Sequence, residues 1–130
     1  IAALSEESGL AVANVFHAGD GNMHPLILFD ANKEGQLALA EEVGGKILEL
    51  CVAAGGSITG EHGVGREKIN QMCSQFQADE ISVFHALKAA FDPQRLLNPG
   101  KNIPTLARCA EFGAMHVHNN ELPHPELPRF

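Results

Sequence analysis

Residues 11–29 read AVANVFHAGDGNMHPLILF, and the fold class turns on this stretch. Its ends, Ala11–Phe16 and Pro25–Phe29, are short, apolar and rich in branched or aromatic side chains, the composition of strands. Between them runs His17-Ala-Gly-Asp-Gly-Asn-Met-His24, in which Gly19, Asp20, Gly21 and Asn22 all tolerate positive φ. A turn-rich link of this kind predicts an antiparallel pair.

Downstream the period changes. From Glu34 to Ala54, Leu39, Val43, Ile47, Leu50, Cys51 and Ala54 recur at spacings of three and four, which predicts a helix with one apolar stripe. Gly44 and Gly45 weaken it by roughly 1 kcal/mol each relative to Ala, and close packing against the sheet is the expected reason for them. Gly55-Gly56 ends the helix, and Ser57–Thr59 reads as a brief third extended stretch. Helical pattern returns over Glu67–Phe76. It resumes behind Asp79, the expected N-cap, with Ile81, Phe84, Leu87 and Phe91 on one face and a stop at Asp92-Pro93.

Beyond Asn98 the prolines at 99, 104, 123, 125 and 128 predict an extended tail. The order of elements predicts an α+β fold, a partial antiparallel sheet with helices on one face, ferredoxin-like in outline. Residues 1–104 are expected to form the domain and 105–130 the tail. Three strands are few for an independent sheet, and the chain opens on Ile1 rather than Met. A fragment of a larger domain is the expectation.

The formal charge of -7, with a pI near 5.4 and no cluster of Lys and Arg, argues against a nucleic-acid or anionic-membrane surface. No apolar stretch approaches the ~20 residues of a membrane span, and no signal peptide is evident. Cys51, Cys73 and Cys109 are widely spaced without a CxxC pair. No disulfide framework or thiolate zinc site is expected, Cys51 and Cys73 are read as buried thiols, and a cytoplasmic setting follows.

His17 and His24 bound the predicted turn, which would put both imidazoles at one edge of the sheet. Two neutral imidazoles so placed suit a divalent metal such as zinc, manganese or iron; loop histidines bonded to local backbone are the other reading. Glu61 is the best third ligand. A helix of about 20 residues spans roughly 30 Å and a five-residue strand only about 17 Å, so the segment after the helix can bend back over the two histidines. His62 lies beside Glu61 and suits a general base, because imidazole titrates near neutrality. The run Gly60–Lys68 superficially resembles a phosphate loop but lacks its Gly-Lys-Ser/Thr ending. His85 reads as structural. His116 and His118 could form a second metal pair, but no third ligand has matching spacing.

His17-Ala-Gly-Asp-Gly-Asn-Met-His24, Gly60-Glu-His-Gly-Val-Gly65, Asp92-Pro and Leu97-Asn-Pro-Gly-Lys101 resemble, in that order, the C-terminal domain of FAD-linked oxidases of the vanillyl-alcohol oxidase type. The run Gly100-Lys-Asn-Ile-Pro-Thr, with Arg108-Cys-Ala-Glu-Phe-Gly-Ala-Met-His116, looks most like the glycolate-oxidising branch. The resemblance covers nearly the whole chain. It implies that His17, His24 and Glu61 are metal ligands, that His62 abstracts a proton, that Asn98 approaches the flavin and that Asn22 lies near substrate. Relatives acting on larger diacids resemble His-Leu-Asn where this chain has His24-Pro25-Leu26, which implies a small 2-hydroxy acid. The family's flavin-binding domain lies upstream of the region matched, so the resemblance implies FAD held mainly by a missing N-terminal domain and an isolated fragment without activity. It also implies an iron–sulfur electron-transfer subunit and loose membrane association through partners. Two rival readings remain: a non-catalytic metal-binding or regulatory module, and an interaction domain whose exposed sheet edge pairs in a homodimer.

Overall fold

A computed structural model of the chain describes residues 1–105. Apart from Thr105, the expected tail lies outside the described residues, as do His116 and His118. The elements run α1 (Ala2–Ser8), β1 (Val12–His17), β2 (Asn22–Ile27), α2 (Gln36–Ala53), α3 (Met72–Gln75) and α4 (Ala78–Phe91). The α+β class holds. Contacts divide the chain into two compact units, Ile1–Gly55 and a second from Gly56 onward.

In the first unit α1 closes on Gly9, whose φ of 71° is a left-handed value that glycine adopts without strain. The Gly9 N–H donates to the Ser5 carbonyl at 3.0 Å. β1 and β2 pair antiparallel with Val12 opposite Ile27 and His17 opposite Asn22. The turn between them is shorter than the eight-residue link expected: the ladder continues through both histidine ends, leaving Ala18–Gly21. The His17 carbonyl closes it by accepting N–H bonds from Asp20 and Gly21, both at 3.1 Å.

α2 buries Ala40, Val43 and Ile47 with Leu10, and Ile1, Leu4, Ile27, Leu39 and Cys51 pack around them. Full burial of a Val or Ile side chain contributes roughly 1.5–3 kcal/mol, so this cluster holds the hairpin to the helix. The predicted stripe is right at its centre and wrong at its end, where Leu50 and Ala54 are exposed. Gly44 does meet the sheet: a Cβ there would lie 3.6 Å from Ile27 Cδ1. That is ordinary contact, so the approach is close without demanding glycine.

In the second unit the expected third strand does not form. The Ile58 N–H is taken by the Gln75 side-chain oxygen at 2.9 Å, and the Ser57 hydroxyl donates to the Thr59 carbonyl at 3.1 Å. Side chains satisfy this backbone in place of a ladder. The expected helix over Glu67–Phe76 also shrinks to Met72–Gln75, preceded by turns in which the Gln71 and Cys73 N–H groups reach back three residues, both at 3.1 Å.

The cap of α4 is Gln77, two residues before the expected Asp79. Glu80 accepts the Gln77 N–H at 2.8 Å, the reciprocal half of a capping box, and Asp79 lies inside the first turn. Ile81 is fully buried, and Phe84 packs edge-on against Phe76 with centroids 5.0 Å apart. Leu87 and Phe91, expected on that face, are exposed. Neither cysteine expectation holds in full: Cys51 is free but only half-buried, while Cys73 is buried and disulfide-bonded. Among the described residues, no helix is long and apolar enough to cross a membrane.

Candidate metal and proton-transfer site

The first unit carries a histidine pair. His24 stands opposite Val15, and His17 opposite Asn22. Directly opposed residues share a face of a sheet, as do residues two apart on one strand. His17, Asn22 and His24 therefore lie on one face, with the imidazoles on a diagonal. Their ring centroids are 5.3 Å apart and the planes cross at 83°. A ring nitrogen of each lies within 4.8 Å of one from the other. Leu26 belongs to the same face and is exposed. Ile27 belongs to the opposite face and packs into the α2 cluster, so the helix braces the hairpin from behind. The strand alternation that buries Ile27 also turns both histidines away from α2.

The second unit carries Glu61 and His62. A Glu61 carboxylate oxygen lies 3.9 Å from His62 Nε2, and both side chains are exposed, at 46% and 74%. The loop that carries them has no ladder. Its Gly63 and Gly65 take φ values of 80° and 56°, the left-handed region that glycine enters freely. The Thr59 hydroxyl accepts the Gly63 N–H at 2.9 Å. Asn102 bonds Gly65 twice: its side-chain oxygen accepts the Gly65 N–H at 3.0 Å, and its own N–H donates to the Gly65 carbonyl at 2.8 Å.

Asn98 sits in an exposed turn at φ 46°. Its side-chain oxygen accepts from Lys101 Nζ at 3.3 Å. Asp92 organises the chain ahead of it. This buried carboxylate takes Lys88 Nζ and the N–H groups of Leu96 and Leu97, each at 2.9 Å. The Lys88 bond above all, with the two backbone donors, holds its carboxyl below the ordinary range; burial opposes them and loses. His85 bonds the Pro104 carbonyl at 3.0 Å, the structural part expected of it.

Sequence reasoning missed Thr59, Asp92 and Asn102. The signal for Asn102 was available, because asparagine is among the few residues other than glycine that enter the left-handed region, and its φ is 67°. What no periodicity reveals is which backbone group a lone polar side chain meets.

The family model described as FAD linked oxidases, C-terminal domain, matches residues 1–102. The chain belongs to that family. It is 77% identical over its full length to glycolate oxidase subunit GlcD of Escherichia coli K12, of which it spans 26%. It is also 39% identical to the subunit of the same name in Bacillus subtilis, over 76% of this chain and 21% of that one. The mitochondrial D-lactate dehydrogenase [cytochrome] of Arabidopsis thaliana is 34% identical over 76% of this chain and 18% of its own length. The chain thus spans about a quarter of the length of the E. coli relative.

Proposed function

We propose that this chain forms the metal-and-base face of the active site in an FAD-dependent oxidoreductase. The reaction converts a small 2-hydroxy acid, of the glycolate or D-lactate type, into the 2-oxo acid. The observation that carries the reading is the imidazole pair displayed on one face of the hairpin by a family member. The similarity to a glycolate oxidase subunit and to a D-lactate dehydrogenase supports the substrate class.

The donors fit a divalent cation: two imidazole nitrogens from His17 and His24, with the Glu61 carboxylate as the third, anionic ligand. Zinc, manganese and iron all accept such a set. The ion, when bound, supplies positive charge that orients the substrate oxygens and lowers the alcohol pKa.

His62 takes the hydroxyl proton as the carbinol carbon is oxidised, with Glu61 beside it in the loop. Asn22, which shares the face of the two histidines, is assigned a hydrogen bond to the substrate carboxylate. Leu26 offers that face an apolar side chain, which suits a small hydroxy acid better than a diacid. Asn98, in its exposed turn, is assigned the approach to the flavin. Binding of the flavin is assigned to an upstream domain of the parent polypeptide, where it supplies the acceptor for two electrons. The reading extends to an iron–sulfur subunit that receives those electrons and tethers a cytoplasmic enzyme to the membrane periphery.

The test is His62→Ala in the full-length protein. Turnover of glycolate or D-lactate should fall by about 10²–10⁴ while the flavin absorbance is unchanged. Retained turnover removes His62 from the chemistry.

A further inference from the structure

The loop from Gly60 to Gly65 carries two residues of the proposed chemistry, yet neither helix nor strand holds it. Its glycines lower the cost of the conformation and, by the same freedom, leave it poorly specified. Something else must select one geometry. Two side chains outside the loop's chemistry do so. At its start the Thr59 hydroxyl accepts the Gly63 N–H. At its end Asn102 pairs with Gly65 in both directions, at 2.8 and 3.0 Å, across 37 residues of sequence. Asn102 achieves this from a left-handed backbone, φ 67°. It stands four residues after Asn98, in the segment that the Asp92 bonds organise.

We propose that Asn102 is a positioning residue for proton transfer. Its two bonds to Gly65 fix the loop so that the His62 imidazole is presented in one orientation, and they couple that loop to the segment bearing Asn98. This rests on the reading of His62 as the proton acceptor. Asn102 acts through the Gly65 peptide groups.

Three variants of the full-length enzyme separate the parts, with glycolate as probe. Asn102→Gly keeps the left-handed backbone and the N–H bond to the Gly65 carbonyl but removes the side-chain acceptor. Asn102→Asp keeps an acceptor oxygen. His62→Ala removes the proposed base. Loss of one hydrogen bond that aligns a reacting group predicts a kcat lowered about fivefold to tenfold in Asn102→Gly, with KM within about twofold. Asn102→Asp should restore kcat to within about threefold of the parent. The decisive comparison is Asn102→Gly in the His62→Ala background, where the further loss in kcat should vanish, because there is no base left to position. An equal loss in both backgrounds overturns the proposal, as does a kcat in Asn102→Gly equal to the parent's. If His62→Ala alone keeps full turnover, the reading of His62 fails first, and that measurement reports it independently of any Asn102 variant.

Discussion

The hairpin of the first unit and the glycine loop of the second each present histidine, and they hold it by opposite means. Every residue from Val12 to His17 has a partner between Asn22 and Ile27, and Ile27 locks the hairpin to α2 through the apolar cluster. The direction of His17 and His24 is then a consequence of strand alternation. It depends on many backbone bonds and on no single side chain. Between Gly60 and Gly65, three hydrogen bonds from Thr59 and Asn102 stand in for that ladder. On the proposed reading the hairpin histidines are metal ligands, which tolerate little displacement, and a ladder gives them little. The proposed base must meet a substrate that arrives and leaves, and a loop lets it do so at the cost of resting on a few polar atoms.

The largest effect that sharpens this contrast is expected in the hairpin. His24→Ala should remove one of two imidazoles without disturbing the ladder, since His24 contributes its backbone to the pairing and its side chain to the proposed ion. Loss of the ion's electrostatic contribution, several kcal/mol, predicts turnover reduced by at least about a hundredfold. Metal analysis of the full-length protein should show the ion gone, while amide exchange across β1 and β2 stays slow. Stoichiometric metal in the variant would break the assignment of His24. Fast exchange would break the contrast, because the hairpin would then depend on the ion.

What the sequence made legible follows the same division. Alternation and helical period are repeated signals, and they located β1, β2, α2 and α4 to within a few residues. The histidine pair came with the hairpin, since a strand register places side chains as soon as the pairing is known. The ends of elements were less legible. β2 starts at Asn22 rather than Pro25 because pairing continues through polar residues that no hydrophobic pattern marks. Ser57–Thr59 looked like a strand until its backbone found Gln75 and its own Ser57 hydroxyl. Asp79 looked like a cap until Gln77 and Glu80 formed the box ahead of it. In the loop, Glu61 and His62 stood out as candidates from chemistry and resemblance. Their supports were not, because Asn102 lies far along the chain from the residue it bonds and leaves no periodic trace.

A smaller effect probes the second unit where it departs from α4. The folded Asp92 carboxyl titrates below its ordinary value of 3.8, chiefly through Lys88. As pH falls, the unfolded chain takes up the proton first. The stability that Asp92 contributes is therefore complete above about pH 3.8 and drains away below it, as the folded carboxyl in turn protonates. Asp92→Asn removes the charge and keeps one acceptor. At neutral pH the amides of Leu96 and Leu97, which Asp92 accepts, should exchange faster than in the parent. Once the pH has fallen through the lowered value of the folded carboxyl, the two proteins should converge. Equal protection at neutral pH would mean that the turn toward Asn98 does not depend on this carboxylate.

The smallest effect should be a gain, and it asks whether the first unit is as tolerant as apolar packing implies. Gly44 lies inside α2, where glycine costs about 1 kcal/mol relative to alanine. An added methyl would meet Ile27 Cδ1 at 3.6 Å, ordinary van der Waals contact, so Gly44→Ala should keep the helix where it is. The expected outcome is slower exchange of the α2 amides, corresponding to about 1 kcal/mol of local stabilisation, with metal content and turnover unchanged. The opposite result would carry its own lesson. Were the variant to lose metal or turnover, the hairpin would be sensitive to sub-ångström pressure from α2. The histidine pair would then be tuned by the helix behind it, and the ladder alone would no longer account for where His17 and His24 point.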